Sequence, residues 1–312
     1  MYYPFLRGRQ NELLALQELL SENILSSKVV PVIEPVKLSP TLIKTIEKFK
    51  EKERSLIIIR NPIVGSLYSD AKQAKNERYV AKLRELLHET EGVIKRGIYF
   101  NDRGIRKTEE YKKNAINFEN VFVICDNPDN IKKFNAVFEG LESPVLVPDG
   151  RSFRRINKNK ILIEESFKKK QKNAEYLEED DEFFTDSLLY YKTEGYVGFS
   201  DYSIIGKEYS ESGFAPYAVA IHIVYYNNEN ELRIHHFVSD DNEDYSDPAG
   251  KFYQALSKLH QWNCEHKMDT LAIRQFEKIY ETEGYPGLGV IKRLSIMHHL
   301  ELVSRFMDGE IS

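Results

Sequence analysis

The sequence predicts an α/β fold: a (β/α)8 barrel-like ring followed by a C-terminal β-hairpin and helical elaboration. Three observations lead there. Short, nearly continuous apolar runs recur through the first 203 residues, as expected of strands buried on both faces. Segments with helical spacing separate most of them, which is the grammar of parallel βαβ units. Beyond residue 203 the pattern changes to two alternating strands around a turn, then helices.

The runs are YYPFLRGR (2–9), VVPVIEPV (29–36), SLIIIRNP (55–62), RGIYFND (96–102), VFVICDNP (121–128), PVLVPDG (144–150), KILIEES (160–166) and YVGFSDYS (196–203). Helical segments follow the first, second, third and fifth: NELLALQELLSENI, SPTLIKTIEKFKEKE, a charged DAKQAKNERYVAKLRELLHETE and NPDNIKKFNAVFEG. Ser39 before Pro40 predicts a helix start with proline in the first turn, and Asn127-Pro128 repeats it. The connections after the fourth and sixth strands read as short or irregular, so one or two units are expected to be incomplete. FKKKQKNAEYLEEDDEFF (167–184) reads as a solvated helix.

AVAIHIVYY (218–226) and LRIHHFVS (232–239) read as a hairpin around NNENE. Asp247-Pro248 should start a helix running to about Cys264, with two more near 270–282 and 289–307. Residues 1–203 are expected to form the barrel, with 204–312 packed on it as one structural unit.

Composition narrows the function classes. Of 312 residues 41% are hydrophobic and 30% charged, enough for a substantial core and against global disorder. The net charge of −5 argues against coating nucleic acid or an anionic membrane through a general field. Two cysteines without paired spacing fit a reducing cytoplasm, and no apolar run suits a membrane span.

Barrel loops after the strands build active sites, so charges closing successive strands should converge. The candidates are Arg7 and Arg9, Glu34, Arg60 with Asn61, Asn101 with Asp102, Asp126, Asp149, Glu164 with Glu165, and Asp201. Glu34, Arg60 and Asp201 stand out because each interrupts an apolar run where no turn requires a charge, whereas Asp126-Asn127-Pro128 and Pro148-Asp149-Gly150 are also ordinary turns. Carboxylates there could hold a hard cation such as magnesium or divide into acid and base, while arginines grip phosphate oxygens.

Weaker signals lie elsewhere. His222 could meet His235 or His236 across the hairpin, and His235, His236 and Asp240 form a reserve acid/base set. YPGLGVIKRLS (285–295) places glycines before a helix with Lys292 and Arg293, a start able to bind phosphate but also a plain turn. Arg151, Arg154 and Arg155 in RSFRRINKNK (151–160) could position a nucleic-acid backbone, or simply be solvated. Cys125 beside Asp126 is a core thiol or a nucleophile.

YYPFLRGRQNELLAL, VVPVIEP and VGFSDYSIIG together resemble the "beta protein" family of phages and bacteria, and HFVSDDNEDYSDPAGKF and YPGLGVIKRLSIMHHLEL are similar to a bacterial subgroup of it. The resemblance implies Arg7, Arg9, Gln10, Glu34 and Asp201 as matched positions, and a role in phage–host conflict beside a protein encoded by a neighbouring gene. The leading expectation is a cytoplasmic barrel with a charged mouth for a phosphate-bearing ligand, extending to a metal-assisted hydrolase. In it Glu34, Asp126 and Asp201 bind metal or act as acid and base, and Arg7, Arg9, Gln10 and Arg60 hold the anion. The alternatives are a non-catalytic recognition or assembly subunit and a nucleic-acid binder.

Overall fold

The computed structural model describes residues 1–88, 92–157, 159–210 and 217–310. It divides into two compact units: residues 1–13, 27–165 and 190–202 in the first, and 14–26, 166–189 and 203 onward in the second.

The first unit is a ring of eight parallel strands interleaved with helices. In order around it are β1 (Phe5–Leu6), β2 (Val32–Ile33), β3 (Leu56–Ile59), β4 (Ile94–Tyr99), β5 (Val121–Ile124), β6 (Val145–Val147), β7 (Lys160–Glu164) and β9 (Gly198–Asp201). An isolated parallel bridge between Tyr2 and Phe199 joins its ends, with Tyr3 N donating to the Phe199 carbonyl at 2.8 Å. Every run expected to be a barrel strand is therefore one, in chain order.

Alternation along these strands separates two apolar layers. Phe5, Val32, Ile57, Ile59, Tyr99, Phe122, Ile124, Leu146, Ile161, Ile163 and Tyr202 cluster inside the ring. Ile98, Val121, Val123, Cys125, Val145 and Val147 face outward onto Tyr111, Phe134 and Phe138. Cys125 is thus a core thiol, which burial and then Asp126 push up to about 12. It carries no thiolate with which to act as a nucleophile. Gly97 is required inside: a β-carbon there would lie 2.5 Å from Ile59 Cδ1.

The first helix is α1 (Gln10–Ser21). Ser39 caps α2 (Pro40–Glu51) by accepting from Leu42 N at 3.2 Å. The third connection breaks into α3 (Leu67–Ala71), a 3-10 turn (Ala74–Asn76) and α4 (Glu77–His88). Residues 89–91, which the sequence pattern adds to that helix, lie outside the described residues. The fourth connection is not incomplete: it holds α5 (Asp102–Lys113), capped by Asn101 on Gly104 N at 3.0 Å. α6 (Ile131–Val137) follows β5, and only a 3-10 turn (Phe153–Arg155) follows β6.

The second unit contains the expected hairpin, β10 (Ala220–Tyr226) and β11 (Leu232–Val238), with His222 directly opposite His236. The segment expected as a solvated helix instead supplies β8 (Asp181–Thr185), which pairs antiparallel with β11. Its Glu182, Phe184 and Thr185 are buried, because alternation along DEFFT outweighs the charge block around it. A short helix, α7 (Ser187–Tyr190), leads back toward β9.

Three helices complete this unit: α8 (Pro248–His266), capped by Asp247 on Gly250 N; α9 (Leu271–Glu281); and α10 (Leu288–Asp308). α10 is buried along an unbroken stretch from Leu294 to Ser304. Within it His298 donates Nε2–H to the Val224 carbonyl (2.7 Å) and pairs through Nδ1 with Thr270 (2.8 Å), while His299 Nδ1 pairs with Ser203 (2.8 Å). Burial pulls His298 down to about 4 and His299 to about 3.

Both histidines are neutral in the fold, whereas the unfolded chain protonates them near 6.5. Their contribution is complete above pH 6.5 and lost as pH falls toward 4, by about 1.4 kcal/mol per pH unit for each. Urea unfolding across that range should show this slope, and His299→Gln should remove about half of the two-histidine component.

Candidate functional site

At the C-terminal end of the barrel strands, Arg7 follows β1 and Glu34 follows β2. Glu34 is fully buried. Its Oε2 accepts from Arg7 Nη1 and from the Tyr99 hydroxyl (2.8 Å), and its Oε1 from the backbone N–H of Ile63 (2.7 Å) and Val64 (3.3 Å). The Arg7 guanidinium lies over the Phe5 and Tyr202 rings, 5.4 and 5.6 Å from their centroids. Burial works to lower its pKa, but Tyr99, Glu34 and Tyr202 outweigh burial and raise it. Burial and Glu34 raise Tyr99, so the phenol keeps its proton and donates it.

A charge can close the apolar run VVPVIEPV because four donors replace its water. The same saturation occupies both carboxylate oxygens, so Glu34 ties β1, β4 and the loop after β3 together. Gly65 makes that loop possible: at φ +83° it passes so close to Val36 that a β-carbon would strike the Val36 carbonyl.

Of the other expected site residues, Asp126 shares the mouth and the rest separate. Asp126 is half-buried and, with Glu165 and Glu34, is among the charges that raise Tyr202 at the mouth. Asp201 faces the other way. Gly198 abuts Tyr3 and Ser200 Oγ donates to the Tyr3 carbonyl (2.6 Å) inside the ring, so Asp201 points outward, where the Tyr2 hydroxyl donates to it at 2.8 Å. Asn61 is also buried and tied to Tyr99 and Asn101. Arg9 is half-buried with its backbone N–H on Glu12, and Gln10 is exposed at the start of α1. Arg151, Arg154 and Arg155 are exposed around the turn after β6; Lys158 lies outside the described residues. Among the described residues no group of three or more His, Cys, Asp or Glu side chains is placed to share a metal ion.

Arg60 lies on the outer face of the ring. Ile57 and Ile59 point inward, so Arg60 continues the outward row of Ile58, beside which the register places Arg96. Between these strands and α3, α4 and α5 is a cavity of about 970 Å³. Its walls are largely apolar, with Leu38, Ile58, Leu67, Val80, Leu83 and Leu87, and among the described residues its charged lining is Arg60, Arg84, Arg96 and Lys107 with Glu110. An adjoining cavity of about 540 Å³ shares Arg60, Tyr68, Lys107 and Glu110 and adds Lys72, Arg103 and Arg106.

Arg96 is buried with its guanidinium 5.7 Å from the Tyr111 ring centroid. Arg60 is the unusual group: Nε and Nη2 are enclosed, and neither has an acceptor among the described residues. Burial, reinforced by Arg96 and opposed by Tyr111, pulls it down to about 10, so it remains a cation at neutral pH. Uncompensated buried charge is expensive, and an anion in the cavity would offset it.

No known protein family, curated protein or solved structure matches the chain. Sequence reading singled out Arg60 but not Arg96, Arg84, Lys107 or Tyr111. Period-two counting offered one signal: with Ile58 beside Arg96, two outward arginines fall on neighbouring strands.

Glu34→Gln should lower stability by about 3–5 kcal/mol in urea unfolding, because a neutral amide leaves the Arg7 cation buried without its carboxylate. A loss below about 1 kcal/mol would contradict the clamp assigned to Glu34.

Proposed function

We propose that the barrel unit is a recognition module for a phosphate-bearing ligand with an apolar body, held on the outer face of β3 and β4 and not in the barrel mouth. Arg60 carries this reading, as a half-buried cation lining an apolar chamber whose enclosed Nε and Nη2 have no acceptor among the described residues. The ligand's apolar body would occupy the chamber lined by Leu83 and Leu87. Its anionic head would meet Arg60 and the basic residues shared with the adjoining cavity. Recognition is favoured over metal-assisted hydrolysis because Glu34 is saturated and Asp201 lies on the opposite strand face from the mouth.

The resemblance to the beta protein family adds to the proposal a partner protein in phage–host conflict, and two cysteines without paired spacing add a reducing, cytoplasmic setting. The described residues include no helix long and apolar enough to cross a membrane.

Calorimetric titration with dodecyl phosphate, dodecanoate, inorganic phosphate and a short oligonucleotide tests the reading. Dodecyl phosphate should bind tightest, and Arg60→Met should abolish its binding while raising ligand-free stability by about 1–3 kcal/mol, since an unsatisfied buried donor is removed. Undiminished binding to the variant, or a preference for the oligonucleotide, would overturn it.

A further inference from the structure

In the second unit, Glu182 on β8, His236 on β11 and His222 on β10 form one hydrogen-bonded chain. Glu182 and His236 are buried. Glu182 Oε2 accepts from Lys168 Nζ at 2.9 Å, its Oε1 lies 3.1 Å from His236 Nε2, and His236 Nδ1 lies 2.8 Å from His222 Nδ1. Burial opposes the Glu182 charge, but Lys168 and His236 outweigh it and set its pKa below the usual value. Burial lowers both histidines, so the two rings are neutral at pH 7.

These partners fix the tautomers. A carboxylate can only accept, so His236 carries its proton on Nε2 and has a lone pair on Nδ1. His222 must then donate Nδ1–H to it, which puts the free lone pair of His222 on Nε2. That nitrogen has no hydrogen-bond partner and is not enclosed among the described residues, and His222 lines a cavity of about 400 Å³. The edge-on rings of Phe167 and Tyr176 hold the imidazole in place.

The same cavity is lined by the opening residues of α10, Leu288 and Gly289, and by Lys169, Lys170 and Lys292. α10 runs for 21 residues and starts at Gly287 without a side-chain cap; the Val290 N–H donates to the Gly287 carbonyl, which leaves those of Leu288 and Gly289 for a ligand. One wall offers donors and positive charge; the other offers the oriented Nε2 acceptor of His222, and Gln171, Asn173 and Ser295 complete the polar lining.

We propose that this cavity is a second ligand site, for a small oxyanion carrying a neighbouring hydroxyl, of the phosphorylated polyol class. The anionic group sits at the start of α10 beside Lys292, and the hydroxyl donates its hydrogen bond to Nε2 of His222. Glu182 and His236 are positioning residues, setting which nitrogen of His222 is the acceptor without touching the ligand.

Ring-nitrogen NMR of the full chain at pH 7.5, with His222 assigned through His222→Phe, tests the tautomers directly. His222 should be unprotonated at Nε2 and His236 at Nδ1. Adding glycerol 3-phosphate should move the His222 Nε2 resonance, with inorganic phosphate and glycerol binding at least about tenfold more weakly. Lys292→Ala, an exposed change that leaves the relay intact, should weaken glycerol 3-phosphate by about tenfold. Glu182→Gln should move the proton of His222 to Nε2 and lower affinity without removing the cavity. A proton on His222 Nε2 in the unaltered chain, no response to glycerol 3-phosphate, or equal binding of inorganic phosphate would each overturn the proposal.

Discussion

A polar group withdrawn from water must find partners in the protein, and that constraint organises this molecule. Glu34 shows it met in full. The carboxylate sits where β1, β2 and the loop after β3 approach one another, and it takes donors from Arg7, Tyr99, Ile63 and Val64. The loop can reach it only because Gly65 adopts a left-handed conformation against Val36. A short apolar strand ending on a carboxylate is therefore a structural device here: the charge costs energy to bury, and its partners fix the geometry of the mouth.

Where the accounting balances, nothing is left for a ligand; where it does not, the proposed ligand would complete it. Arg60 and Arg7 are both arginines at strand ends, one residue type with opposite outcomes. Arg7 turns into the ring and meets Glu34 through Nη1, while Arg60 turns outward and its Nε and Nη2 have no acceptor among the described residues. The third connection explains the space around it. A five-residue helix and a 3-10 turn precede α4, whose Leu83 and Leu87 stay half-buried over the outer face of β3 and β4. The helical layer consequently covers the strands there without filling the gap.

The barrel was legible because strands buried on both faces must be apolar at nearly every position, and such runs are conspicuous. The same property hid the site. A run like SLIIIRNP shows that Arg60 ends a strand but not which face it takes, since both neighbouring faces are apolar. Asp201 was misplaced for this reason: only Gly198 and Ser200, pressed against Tyr3, reveal its parity. α5 escaped because DRGIRKTEEYKK buries little beyond Gly104, Thr108 and Tyr111, too sparse a stripe to read as helical. β8 escaped for the converse reason, with its alternation embedded in a block of charge. The His222–His236 contact was legible because hairpin register brings cross-strand partners together, but Glu182, which orients the pair, lay in the segment assigned to a helix.

The second unit supplies its own control for the relay. His298 is an ordinary buried histidine: one nitrogen donates to the Val224 carbonyl, the other pairs with Thr270, and the ring is satisfied at both ends. His222 is held with equal care on one side only. Glu182 and His236 determine its tautomer, Phe167 and Tyr176 determine its ring plane, and all of that ordering ends on a nitrogen that has no partner among the described residues, at a cavity wall. Core packing alone would be served as well by an apolar residue at position 222, which would bring no ring nitrogen to the cavity wall. A positioned acceptor opposite an uncapped helix start gains its purpose from a ligand that bridges the two, one carrying negative charge at one end and a hydroxyl at the other.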